Sequence, residues 1–181
     1  MKKSQAKESI AYHEAAHCVI GFVLDGTVPY TLTINLPDGS DTVGECDGEH
    51  PIQVGVTAEG IENAIVSLYA GFAAQVEFDP TNEELYKSHA SDDDDKADKF
   101  LSYLGSDRKE LGKKLRDRAK ELVQENWSTI TAVAEELLLH GTLDDYEAEC
   151  IMMASRGDEE AKAYLEKYRW HKSQRPPPKN G

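Results

Sequence analysis

Two histidines and a glutamate near the start of the chain form an H-E-x-x-H motif over residues 13–17. The motif lies in a largely apolar stretch whose three- and four-residue spacing predicts a helix over residues 5–24. Positions i and i+4 of a helix leave the same face one turn apart, so His13 and His17 can bind one metal ion together. Glu14 stands beside them and can take a proton from a water molecule. These residue types at this spacing are typical of a zinc peptidase.

A catalytic zinc ion usually has three protein ligands, so the two histidines leave one position to fill. The extended pattern H-E-x-x-H-x-x-G-x-x-H would supply it nearby, but Ile20 and Val23 stand at its glycine and third histidine. The third ligand must therefore come from farther along the chain. Acidic residues at the start of a helix are also typical of a solvated cap, so spacing alone leaves the choice open. The side chains of suitable type are His50, Glu62, Glu77, Asp79, His89, Asp92, Asp93, Asp94 and Asp95.

The rest of the chain must supply the elements that position these residues, and its pattern predicts a mainly helical α+β domain. Two β-like runs, residues 30–36 and 42–46, flank a turn at 37–40 and predict a hairpin, and residues 52–56 predict another short strand. Further helices are expected over residues 61–78, 91–104 and 107–140, from a Thr142 cap to Ala154, and over residues 159–170.

Length, charge and cysteine content narrow the class of protein. The 181 residues predict one domain over 1–155, followed at 156–181 by a helical extension and a disordered, proline-rich tail. A formal charge of −14 opposes binding to nucleic acid or to an anionic membrane surface. Three cysteines without a C-x-x-C pair, and no signal or membrane-spanning segment, favour a cytoplasmic protein. Cys18 adjoins His17, but one helical step turns it away, so we expect its thiol in the core.

Five segments of the chain resemble, in the same order, motifs of the peptidase domain of the FtsH family, the membrane-bound ATP-dependent zinc proteases. Together they span roughly residues 8–153. The matching segments are residues 11–17 (A-x-H-E-A-G-H-A in the family), 32–44 (V-T-I-x-P-R-G … G-Y), 67–75 (L-A-G-R-A-A-E), 89–97 (G-A-S-N-D-L-x-x-A) and 122–144 (A-x-x-L-L-x-x-N … L-L-E-x-x-T-L-D-G-x-E).

The resemblance implies an FtsH-peptidase-like helical domain with a small β-hairpin or sheet. It also implies that His13 and His17 are zinc ligands, that Glu14 is the catalytic base and that Asp93 is the third ligand. Asp94 and Asp95 replace a leucine and a variable position of the family motif, so a shift of one residue would make the ligand Asp92 or Asp94 instead.

The predicted function is that of a zinc-dependent metalloendopeptidase acting on flexible or unfolded polypeptides. The chain has no P-loop motif and no ATPase module, so we expect it to cut chains that are already accessible or to use an unfoldase or regulatory partner. The alternative is a weakly active or inactive peptidase-like module that acts by binding a protein partner. A metal hydrolase with a different substrate is a third possibility, and the oligomeric state does not follow from the sequence.

Overall fold

The computed structural model describes residues 3–35, 45–47, 57–105 and 107–174, and in these ranges the chain is mainly helical with one small sheet. The predicted fold class is therefore confirmed. The helices are α1 (Lys3–Asp25), α2 (Ala58–Phe78), α3 (Glu83–His89), α4 (Ser91–Leu101), α5 (Arg108–Glu125), α6 (Trp127–His140), α7 (Asp145–Ser155) and α8 (Glu159–Ser173), and the strands are β1 (Thr31–Thr33), β2 (Glu45–Asp47) and β3 (Thr142–Asp144).

Helix α1, which carries the H-E-x-x-H motif, lies in the centre of the fold and packs against α2 and α6. Its alanines at positions 11, 15 and 16 are completely buried, and small side chains of this kind allow neighbouring helices to approach closely. Val19 and Ile20 continue the same buried surface toward the end of the helix. Burial of this apolar face, rather than the polar motif residues, holds α1 in place.

The sheet has the strand order β2-β1-β3, and both pairings are antiparallel. In its register, Leu32 at the middle of β1 lies opposite Cys46 on one side and Leu143 on the other. The predicted hairpin is thus confirmed by the β1–β2 pair, whereas strand β3 was not expected. The predicted turn at 37–40 and strand at 52–56 lie outside the described residues.

The predicted single helix over residues 107–140 is wrong, because the chain forms two helices that meet at Asn126. Asn126 leaves the helical conformation, with φ −107° and ψ 15°, and is both the C-cap residue of α5 and the N-cap residue of α6. Its side-chain amide donates to the carbonyl of Leu122 at 2.9 Å, which satisfies an acceptor at the end of α5. The apolar periodicity runs through this break and therefore conceals it.

The prediction that Thr142 caps the following helix is also wrong. Gly141 ends α6 as expected, in the left-handed conformation with φ 78°, and its carbonyl accepts from Ile34 at 2.9 Å. That contact brings the next residues alongside β1, so Thr142 joins strand β3. The cap of α7 is instead Asp144, which forms a capping box with Glu147.

Two other helices differ from the prediction near the acidic run. A single 3₁₀ turn at Pro80–Asn82 is followed by helix α3 over Glu83–His89. This helix was not predicted from the sequence. Helix α4 begins at Ser91 as expected but ends at Leu101, and Gly105, with φ 105°, follows before α5 begins.

Helix α8, the helical part of the C-terminal extension, packs on α7 through charged contacts. Arg169 binds Glu136 of α6 at 2.7 Å and Glu147 of α7 at 3.1 Å, and Lys172 binds Glu147 and Asp144 at 2.6 and 2.8 Å. The extension therefore joins directly to the cap of α7. The tail from residue 175 onward lies outside the described residues, and none of the described helices is both long and apolar enough to cross a membrane.

Candidate metal centre

The two histidines of α1 point toward each other, as their i, i+4 spacing predicts. Their Nε2 atoms lie 2.9 Å apart, and the two rings meet edge to face at 84°. The side chains are nearly buried, with exposed fractions of 11% for His13 and 12% for His17, so solvent reaches only the rim of the pair. Glu14, between them in sequence, is itself buried at 5% exposure.

Asp93, in the first turn of α4, completes the group. Its Oδ2 atom lies 3.1 Å from Nε2 of His13 and 3.3 Å from Nε2 of His17. One ligand atom from each of the three residues thus falls within a space of a few ångströms, and the group could hold a metal ion. Three residues that the sequence separates by 80 positions, from His13 to Asp93, meet at one point.

The neighbouring aspartates are used differently. Asp94 forms an ion pair with Arg116 at 3.1 Å, and Asp92 is exposed to solvent.

Cys18 is buried as expected, and burial raises the pKa of its thiol to about 12, which disfavours the thiolate that a metal would need. Of the remaining candidates, His50 and the side chain of His89 lie outside the described residues, and the metal-binding group does not include Glu62, Glu77, Asp79 or Asp95.

Hydrogen bonds from α2 orient both imidazoles. Nδ1 of His17 donates to the backbone carbonyl of Ser67 at 2.8 Å, and Nδ1 of His13 bonds to Oε1 of the fully buried Gln75 at 3.1 Å. Because both acceptors are oxygens, each neutral ring carries its hydrogen on Nδ1 and a lone pair on Nε2. When both rings are neutral, two nitrogen lone pairs and a carboxylate oxygen of Asp93 face one another, an arrangement that favours binding of a metal ion or a proton between them.

Gly71 permits this close contact between α1 and α2. A Cβ atom at position 71 would lie 2.6 Å from Cε1 of His13 and 2.7 Å from Nε2 of His17, much closer than carbon and nitrogen atoms can approach. Ser67, Gly71 and Gln75 recur every fourth residue, so they form one line of small and polar residues along the face of α2 that meets α1. No role of these three residues was predicted, although their four-residue spacing in an apolar helix is a signal that the sequence contains.

The charges of the group are strongly coupled. Burial lowers the pKa of His17, but the Asp93 carboxylate, with smaller contributions from Glu14 and the Ser67 carbonyl, raises it by more, so that the pKa lies at about 9. Burial likewise tends to raise the pKa of Asp93, yet His17 and His13 bring it well below its ordinary value. Burial raises the pKa of Glu14, a shift that the two histidines only partly oppose. The metal-free site therefore holds an imidazolium against an ionised aspartate beside a glutamate that binds protons readily.

No protein-family model matches this chain, and a search of curated proteins finds no match to it.

Replacing Asp93 tests the assignment of the third ligand. We expect Asp93→Ala to weaken metal binding by about a hundredfold or more, since it removes one of three ligands. Asp92→Ala should bind as the native protein does, because Asp92 is exposed, and Asp94→Ala should still bind one equivalent. Competition with a chromophoric chelator measures all three affinities. An equal loss for Asp92→Ala and Asp93→Ala would contradict the assignment.

Gly71→Ala tests the close approach of the two helices. The added methyl group must push the imidazoles apart, so we expect at least a tenfold loss of metal affinity. Gly21→Ala on α1 is the matched control: its Cβ would lie 3.5 Å from the nearest atom, in ordinary contact, and alanine favours a helix. Chelator competition and thermal unfolding compare the two variants. Similar metal affinity in both would show that the contact at Gly71 is unimportant.

Metal binding is expected to release a proton, because the metal must displace the proton that His17 holds below its pKa of about 9. The apparent affinity should therefore rise by about tenfold per pH unit from neutral pH toward pH 9, and fall as the solution is acidified. Titration calorimetry in buffers of different ionisation enthalpy counts the released protons. A count of zero at pH 7 would contradict the charge state described above.

Proposed function

We propose that this protein is a zinc-dependent metalloendopeptidase. The observation that carries the proposal is the convergence of His13, His17 and Asp93 beside the buried carboxyl group of Glu14. A second line of support is the resemblance of five ordered segments to the FtsH peptidase domain, which associates the same four residues with peptide hydrolysis.

The donor set fits zinc in type and in spacing. Zinc binds imidazole nitrogen and carboxylate oxygen at about 2.0–2.2 Å in a tetrahedral arrangement, so two of its ligand atoms lie about 3.3 Å apart. The three separations observed here are 2.9, 3.1 and 3.3 Å. Two imidazoles and one carboxylate also match a catalytic rather than a structural zinc site, because a structural site commonly uses four protein ligands. We therefore propose zinc as the ion.

Each residue of the site then has a separate task. A bound zinc ion supplies Lewis-acid chemistry, since it makes water more acidic and polarises the scissile carbonyl group. Glu14 accepts the proton of the attacking water and delivers it to the nitrogen of the leaving amine. Ser67 and Gln75 keep the two imidazoles in the ligating tautomer.

The sheet offers a place for an extended substrate. Strand β1 pairs with β2 on one side and β3 on the other, so an added strand cannot bind to β1 itself. Among the described strands β2 lies at an edge and contacts α1, and we propose that a flexible or unfolded polypeptide pairs there. Such a substrate must arrive already extended, which is consistent with the use of an unfoldase or regulatory protein as partner.

Glu14→Gln separates catalysis from metal binding. We expect the variant to retain stoichiometric zinc, because Glu14 is not a ligand, and to lose about a hundred- to ten-thousandfold in the cleavage of casein. Glu8→Gln, which makes the same change on the same helix away from the metal-binding group, is the control and should cleave normally. Zinc content by atomic emission and cleavage of fluorescently labelled casein are the two measurements.

Other results would point elsewhere. Normal cleavage by Glu14→Gln would contradict the role of Glu14 as general base. A native protein that binds one zinc ion but cleaves neither casein nor a peptide library would favour the binding or regulatory module instead.

A further inference from the structure

Arg116 of α5 connects three helices near the metal centre. Its Nη2 atom donates to Oδ1 of Asp94 on α4 at 3.1 Å. Its guanidinium group also lies over the ring of Tyr69 on α2, with 4.2 Å between Cζ and the ring centroid. One side chain thus contacts both the helix that carries Asp93 and the helix that orients the histidines.

The geometry of the metal-binding group depends on how α4 is held against α1. Asp93 is the one member of the metal-binding group that does not lie on α1, so the position of α4 decides whether the carboxylate reaches the histidines. The first turn of α4 has no side-chain cap, and its buried contacts, Ala97 and Leu101, come in later turns. Together with the buried Ala90 just before the helix, the ion pair of Asp94 with Arg116 therefore helps to hold the turn that contains Asp93.

The contact of Asp94 with Arg116 lies on a different side of α4 from the contact of Asp93 with the histidines. Neighbouring residues on a helix leave its axis about 100° apart, so Asp93 and Asp94 face two different sides of α4. The histidines bind the first side and Arg116 the second, which opposes rotation of α4 about its axis. Tyr69 is buried, and in the sequence it lies two residues from both Ser67 and Gly71. Arg116 is therefore held by the same segment of α2 that contacts the histidines.

We propose that Arg116 is a positioning residue for the metal centre, acting through Asp94 to hold Asp93 against His13 and His17. This inference rests on the metal-binding part of the proposed function and not on peptidase activity. Arginine suits the position because its flat guanidinium group can stack on Tyr69 while it donates to a carboxylate.

Two substitutions with opposite effects on net charge test the proposal. Arg116→Met makes the protein more negative, and Asp94→Asn makes it less negative. We expect both to weaken binding of Zn²⁺ about three- to tenfold, because each breaks the same half-exposed contact. An effect of overall charge alone would strengthen binding in the first and weaken it in the second. Lys113→Met, on the exposed side of the same helix, is the matched control and should not weaken binding.

Four further measurements distinguish positioning from general stabilisation. In an Asp93→Ala background, Arg116→Met should cause no additional loss of affinity, because its effect passes through Asp93. The visible absorption of the Co²⁺ form should shift in Arg116→Met toward the spectrum of Asp93→Ala, and Arg116→Lys should restore part of the affinity because it keeps the charge. Thermal unfolding of each metal-free variant shows how much stability has changed.

The outcomes separate this inference from the proposed function. Native affinity and an unchanged Co²⁺ spectrum in both Arg116→Met and Asp94→Asn would overturn the role of Arg116 and leave the metal centre intact. An equal loss of affinity with and without Asp93 would also overturn it, since Arg116 would then act on the whole fold. Failure of the native protein to bind Zn²⁺ or Co²⁺ would overturn the proposed function itself.

Discussion

The contact between α1 and α2 at Gly71 is the constraint on which the rest of the site depends. Large side chains at the crossing of two helices increase the distance between the helix axes and are an obstacle to close contact. Here the missing side chain of Gly71 and the buried alanines of α1 remove that obstacle. His17 can then donate to the Ser67 carbonyl and His13 to Gln75. The tautomers of both rings, and so their ability to bind a metal, follow from how closely two helices pack.

This packing places three electron-rich ligand atoms close together, and a cation bound between them stabilises the arrangement. Two ring nitrogens and a carboxylate oxygen face one another in a nearly buried space, where charges interact more strongly than in water. Without a metal this attraction holds a proton: the Asp93 carboxylate raises the pKa of His17 and the two histidines lower that of Asp93, although burial acts in the opposite direction on both. The same buried surroundings raise the pKa of Glu14. The buried surroundings thus act on both requirements of the proposed peptidase: they strengthen the attraction of the three ligands for a cation, and they favour the protonated form of Glu14.

Local regularity explains which structural predictions are correct. The helix around the H-E-x-x-H motif, the β1–β2 hairpin and the end of α6 at Gly141 each follow from the residues that form them. The errors have two causes: Thr142 joins a strand because the distant strand β1 lies beside it, whereas Asn126 interrupts a helix through a local bond to Leu122 while the apolar pattern continues without a break. Sequence periodicity records which face is buried, but it does not record where the axis of a helix changes direction.

The amino-acid sequence is enough to predict that His13 and His17 share one helical face with Glu14 beside them, because a four-residue spacing has that consequence in any α-helix. It also limited the third ligand to a short set of acidic and histidine side chains, and the family resemblance singled out Asp93. Only the tertiary structure decided which aspartate reaches the histidines, since Asp92, Asp93 and Asp94 have the same chemistry and differ only in direction. The direction depends on how α4 is held against α1, α2 and α5, and those contacts join residues far apart in the chain. Gln75, Gly71 and Arg116 acquire their roles in the same way.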